Sequence, residues 1–206
     1  MKPGISIDDL PHIDLIVISY NRYDHLDRLT LEKIHQKQKD QPPRIFVPLN
    51  QKEWFEDLEI PNVVEMDWWE EQQYLGWKIH AVPVQHWSGR KLWDRNQVLW
   101  AGWVSEHPKF RFFFAGDTGY SKDFIDLGNK FKSFDLAAIP IGAYSPRWFM
   151  KQKHINPEEA VNIHQDIDSR YSVAIHWGTF AMTDEPVDEP PKLLEDALTQ
   201  KGISNK

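Results

Sequence analysis

Short apolar runs, rich in β-branched and aromatic residues, recur along this chain, and several of them stop at a turn that carries His or Asp. Residues 14–19 (DLIVIS), 44–47, 77–84, 98–104, 110–115, 135–141 and 173–175 read as strands by length and composition. Between them lie helical patterns. Residues 28–39 place Leu29, Leu31 and Ile34 among polar neighbours and stop at Pro42 and Pro43. The strongest local start signal is Asn156-Pro157-Glu158-Glu159-Ala160, in which Asn156 can cap, Pro157 suits the first helical position and the acids complement the helix dipole. That helix should run to about Ile167, and Pro190 should open a last one of roughly ten residues. Strands that alternate with helices, some of them hairpin-like neighbours, predict an α/β chain with a mixed sheet.

At 206 residues, with no repeat, low-complexity tract or Gly/Ser linker, the chain reads as one domain, residues 1–206. No apolar run approaches the ~18 residues of a membrane span. Residues 1–10 carry Asp8 and Asp9 and no apolar centre, which reads against a signal peptide and for a cytoplasmic location, or one peripheral to a membrane. The absence of Cys excludes disulfides, thiolate metal sites and a Cys nucleophile. With 24 Lys+Arg against 31 Asp+Glu, the net charge of −7 argues against a nucleic-acid partner.

Four strand ends finish in potential metal ligands: Asp24-His25, His86, Asp117 in a Gly-flanked turn, and His176. Carboxylate and imidazole suit Zn²⁺, Fe²⁺ or Mn²⁺. Loops gathered at one sheet edge make an ordinary α/β active site. Each residue alone has a structural alternative, as a hydrogen-bonded strand-end His, an Asp-His turn or a tight Gly-Asp-Thr-Gly turn.

The order and context of these motifs resemble the metallo-β-lactamase superfamily, and within it the branch of N-acyl-phosphatidylethanolamine-hydrolysing phospholipase D and its bacterial relatives. SYNRYDHLD, VPVQHWSGRKLWDRN, LWAGWV, FFFAGDTGY, IPIGAYSPRWFM, HINPEEAV, IHWGTF and DEPVDEPP carry the resemblance, from about Ile13 to Leu198. The resemblance implies an αββα sandwich with mixed sheets and a two-metal centre bridged by hydroxide. Carried across, Asp24 and His25 would hold metal two with His176, Asp117 would bridge both metals, and His86 would serve metal one. Asp24 and Asp117 would thereby belong to the catalytic machinery. His154 matches a family position near the substrate phosphate, implying a substrate or proton-transfer role, with packing beside the helix start as the alternative.

Two departures shape the expectation. Tyr20 and Arg22 stand where the family has the two His of metal one. Tyr would have to ionise from a reference pKa of about 10, and Arg, a permanent cation, cannot ligate. A guanidinium ~4 Å from a metal would be repelled by several kcal/mol even at an effective dielectric of ~20. One bound ion is therefore expected rather than two, zinc first, with iron or manganese as alternatives. Arg22 could instead neutralise Asp117 and offer its fork to a phosphate. In addition, the first motif arrives at Tyr20, which implies a fold shortened at its N-terminus, with exposed sheet edges open to self-association.

Trp87, Trp93, Trp100 and Trp103 cluster around the His86 loop, where they suit either a lipid-facing pocket mouth or core packing. Arg90, Arg95 and Arg147 share these loops, and Arg22, Arg90, Arg147 and Trp87 are the candidate substrate-binding residues, with salt-bridge scaffolding as their alternative. The resulting expectation is a metal-dependent hydrolase of phosphodiesters, N-acylated phospholipids among them, making at most peripheral contact with a membrane. The alternatives are an inactive or decayed chain of the same fold that keeps at most one structural ion, and a nuclease of the same superfamily, which the acidic balance disfavours.

Overall fold

Three short strands lie parallel in one sheet in the order β1 (Leu15–Val17), β2 (Arg44–Pro48), β3 (Val63–Met66). Parallel neighbours need crossover connections, and the helices α1 (Arg28–Lys37) and α2 (Lys52–Glu56) fill them. Asp27 starts α1 by accepting the backbone N–H and the hydroxyl of Thr30 at 2.8 and 2.6 Å, and these bonds hold its carboxyl below the usual carboxylate range. Leu31 and Ile34 of α1 are buried, and Leu31 joins Ile18, Leu26, Ile45, Val47 and Phe55 in one apolar core.

The coordinates form a computed structural model that describes residues 4–203. They divide into two compact units: the chain up to Glu70 together with Trp87–Ala101, and Glu71–His86 together with the remainder from Gly102. The three-stranded sheet belongs to the first.

The second unit is built on six strands in sequence order: β4 (Glu71–Tyr74), β5 (Trp77–Val82), β6 (Gly102–His107), β7 (Phe110–Phe114), β8 (Phe134–Pro140) and β9 (Ser169–Ile175). Pairs from β4 to β7 are antiparallel, and β7–β8 and β8–β9 are parallel, giving the mixed sheet that the alternation of elements predicts. Helix α3 (Asp123–Phe131) joins β7 to β8. Helices α4 (Arg147–Met150) and α5 (Pro157–Asp166) join β8 to β9, and α6 (Glu189–Gln200) packs on α5. Because β5 and β7 both oppose β6, the strands β5, β7, β8 and β9 all point the same way. Their C-terminal ends therefore share one sheet edge, and that edge is where a site can form.

Two strands differ from the sequence reading. β6 starts at Gly102 rather than residue 98, because the N–H groups of Leu99 and Ala101 donate to Leu49 and Ser19 in the first unit. β9 starts earlier, at Ser169: its polar first half pairs with Phe134–Ala137 as an edge strand, which carries polar residues without penalty. Helices α2, α3 and α4 and strands β3 and β4 were not expected from the sequence. In α3 the spacing of Phe124, Leu127 and Phe131 does present one buried stripe.

The start of α5 matches the sequence signal in full. Asn156 Oδ1 accepts the Glu159 N–H at 2.9 Å while the Glu159 carboxylate accepts the Asn156 N–H at 3.2 Å, a closed capping box. Asn156→Ala should cost about 1 kcal/mol of unfolding free energy, read from urea denaturation.

His80 of β5 is buried against Phe131, with Nε2 at 3.3 Å from Glu106. Burial disfavours its cation and pulls its pKa below the ordinary value, outweighing the pull of Glu106 and Glu71. The unfolded chain then binds a proton near pH 6.5 that the native chain still refuses, so stability falls as pH drops through that window. Melting temperature should decline from pH 7 to pH 5, and His80→Phe should make that decline shallower.

Candidate metal centre

Within the second unit, the shared strand edge delivers four candidate residues. His86 follows β5, and its backbone is tied to the turn after β7. The Gln85 N–H donates to Thr118 Oγ1 at 3.0 Å, and the Gly119 N–H donates back to the Gln85 carbonyl at 2.7 Å. Asp117 sits in that turn, next to Gly116 at φ 63° and only 2% exposed. His176 follows β9 at φ 58°, a left-handed conformation unfavourable for a residue with a Cβ. His154, buried, lies on the turn that precedes α5.

Their side chains converge. Asp117 Oδ1 is 3.1 Å from His176 Nε2, and Oδ2 is 3.7 Å from His86 Nε2. The His154 ring stands edge-on to His86 at 5.2 Å and stacks on His176 at 5.6 Å. Ligand atoms of His86, Asp117 and His154 all lie within 4.8 Å of one another. His86 Nδ1 is 2.9 Å from the Lys153 carbonyl. A carbonyl only accepts, so Nδ1 carries a proton, and in the neutral ring the lone pair falls to Nε2, the nitrogen turned to Asp117.

This donor chemistry fits a divalent cation. Two donors each ~2.1 Å from a tetrahedral ion stand ~3.4 Å apart, between the two separations that Asp117 makes with its imidazoles. The side chains of His86 and Asp117 are 0% and 1% exposed, and a carboxylate so enclosed calls for a balancing positive charge. Imidazole and carboxylate ligands admit zinc, iron or manganese alike.

The loop after β1, in the first unit, carries the other candidates. Asp24 Oδ1 is 3.3 Å from Arg22 Nε, and Asp24 Oδ2 is 3.6 Å from His25 Nε2. His25 Nδ1 lies 3.3 Å from Ser19 Oγ, and its ring packs on buried Tyr20 at 4.5 Å. Arg90 is engaged in scaffolding: one guanidinium nitrogen donates to the carbonyls of Asn21 and Leu26, at 3.0 and 2.9 Å, and the group stacks over Tyr23 and Trp54. Trp87 receives Arg22 and Arg95 on its ring, at 5.8 and 5.1 Å. In the second unit Arg147 likewise meets protein partners, the His154 carbonyl and the Glu159 carboxylate, each at 2.8 Å.

Three supporting residues escaped the sequence reading. Thr118 and Lys153 act through a hydroxyl and a carbonyl that no motif advertises. Glu185 accepts the N–H groups of Ala143, Tyr144 and Ser145 at 2.6, 3.3 and 3.0 Å, anchoring the loop after β8. The DEPVDEPP string marked its neighbourhood without its role. Tyr120 donates to Asp166 at 2.6 Å, and this bond is the first cause that pushes its pKa up to about 12.

Comparison with known proteins gives a consistent result. A family described as the beta-lactamase superfamily domain matches residues 1–177. The chain is 41% identical over 209 residues to N-acyl-phosphatidylethanolamine-hydrolyzing phospholipase D 1 of Caenorhabditis elegans, a match covering 95% of this chain and 58% of that protein. It is 40% identical over 207 residues to the mitochondrial N-acyl-phosphatidylethanolamine-hydrolyzing phospholipase D of Saccharomyces cerevisiae, covering 97% and 44%. The chain thus spans about half the length of these relatives. A solved structure described as a "possible metal-dependent hydrolase" from Veillonella parvula superposes with a TM-score of 0.76 at 16% identity, over 98% of this chain and 75% of that one, a likeness of fold.

Gly142 is the point where the loop after β8 passes His176. A Cβ there would stand 2.3 Å from the His176 carbonyl oxygen, inside any permitted contact. Gly142→Ala should displace His176 and lower the divalent metal retained per chain after dialysis against a metal-supplemented buffer, measured by atomic emission.

Proposed function

Since the chain belongs to the metallo-β-lactamase superfamily and shares its α/β fold, we propose that it is a metal-dependent hydrolase of phosphodiester bonds. The observation that carries the proposal is the Asp117 carboxylate, enclosed between His86 and His176 with His154 alongside. A divalent ion, if bound there, would lower the pKa of water toward neutrality and would polarise a phosphoryl oxygen. Asp117, His86 and His176 are its proposed ligands in the second unit. His154 adds a nitrogen at the same place, suited to ligation or to holding a proton for the leaving group. The family motif assigns ligand roles to Asp24 and His25 as well.

For the substrate we propose N-acylated phosphatidylethanolamine, the class named in the two relatives. Zinc is the proposed metal, one ion per chain. A lipid substrate calls for peripheral contact with its surface, because among the described residues no helix is long and apolar enough to cross a membrane. The loop of Lys91, Leu92 and Trp93 suits that contact: Leu92 is 98% and Trp93 74% exposed beside a cation.

Arg22 favours a second reading. Its ion pair with Asp24, together with Tyr20 where the family has His, describes a chain that has lost part of its metal set and turnover with it. Zinc content and hydrolysis of bis-p-nitrophenyl phosphate by the purified chain separate the two. The hydrolase reading expects about one ion per chain and turnover that disappears with a chelator and in Asp117→Asn. Absence of turnover on this probe and on vesicles of N-acylated phosphatidylethanolamine, with or without metal uptake, overturns the hydrolase reading and favours the inactive one. Tyr20→His with Arg22→His should raise the content from about one ion to about two.

A further inference from the structure

The turn between α4 and α5, residues 151–156, backs the candidate metal centre on the side of His86 and Asp117. The Lys153 carbonyl accepts from His86 Nδ1 at 2.9 Å. The Ile155 N–H donates to the Thr118 carbonyl at 2.8 Å, one residue from Asp117. His154 itself lies between them. Against the strand side the turn is pressed so closely that a Cβ on Gly119 would stand 2.6 Å from the Gln152 carbonyl. On its far side one pair of charged groups closes it: Arg147 donates to the His154 carbonyl and, through its other terminal nitrogen, to Glu159 Oε2, both at 2.8 Å.

We propose that the Arg147–Glu159 ion pair is the positioning device of the metal centre, holding the turn so that His86 and His154 present their nitrogens beside Asp117. It rests on the metal reading above and deepens it. The guanidinium suits the task because its planar fork binds a carbonyl and a carboxylate in fixed relative directions, which an ammonium cannot do. Both side chains are partly buried, at 30% and 16% exposure, so the pair is screened less than a fully exposed bridge. Glu159 is rigid for a separate reason, since its carboxylate also closes the capping box on Asn156. Rigidity thus passes from the α5 start through Arg147 to the backbone of His154. A partner that orients a ligand from behind typically contributes 10–100-fold in metal affinity.

The test is a Co²⁺ titration of the full chain, followed by the visible absorption of the bound ion, with melting temperature measured in the absence of metal. Arg147→Ala should weaken Co²⁺ binding about tenfold or more and alter the absorption band, with Arg147→Lys recovering part of the loss. Asn156→Ala, which removes the side-chain cap but keeps both the backbone N–H bond that anchors Glu159 and the Arg147 bonds, should lower the melting temperature while leaving affinity within about twofold of wild type. A purely structural role for Arg147 predicts the opposite pattern, a lower melting temperature with unchanged affinity and spectrum, and that result overturns the proposal. His86→Ala separates the two layers. If it too leaves Co²⁺ binding unchanged, the metal reading itself fails; if it abolishes binding while Arg147→Ala does nothing, the positioning role alone falls.

Discussion

A carboxylate almost closed off from water, Asp117, sets the terms for the second unit. It lies 3.1 Å from one imidazole and 3.7 Å from another. Its charge has little solvent to stabilise it, so the surrounding groups must do so. That requirement explains why the turn after β7 is held so closely, with Gly116 in a left-handed conformation and Gly119 packed against the Gln152 carbonyl. A looser turn would let the carboxylate rotate toward water and dissolve the cluster.

The sheet makes this geometry available. One antiparallel partner, β6, reverses the chain between β5 and β7, and the two parallel crossovers through α3 and α5 return it in the same direction. Four strand exits therefore share an edge. Backbone groups then do most of the fine placement. The Lys153 carbonyl selects the tautomer of His86, and the Glu185 carboxylate gathers three successive N–H groups of the loop that abuts His176. The first unit follows the same logic around its own motif. Arg90 and Gly89 bind the loop that carries Asp24 and His25, through the carbonyls of Asn21 and Leu26 and the Asn21 side chain.

How legible these features were depends on the range of the forces behind them. The α5 start is decided within four residues, Asn156 to Glu159, and it formed as its sequence implied. The apolar runs of β2, β5, β7 and β8 likewise report burial that any α/β arrangement would impose. Helix α3 was harder to see because Gly128 interrupts a nine-residue pattern already too short for a strong periodic signal. The start of β6 was misplaced because Val98 and Leu99 are apolar for a different reason, their backbone being bonded outside the six-stranded sheet. The arginines were the least readable, because a guanidinium looks the same in sequence whatever it binds, and only the fold shows that Arg90 and Arg147 donate to carbonyls.

The residue types of the centre, carboxylate and imidazole with no thiol, were settled by the sequence alone, and so was the class of cation they suit, because ligand chemistry belongs to the side chain. The Asn156 cap and the apolar runs of β2, β5, β7 and β8 were settled there too, since they depend on neighbours a few residues away. Only the tertiary structure decided which imidazole nitrogen faces Asp117, that His154 stands beside His86, and that Arg147 braces the turn behind them. Those outcomes join residues as far apart in sequence as His86 and His154. They are set by strand direction and close packing, which no local pattern encodes.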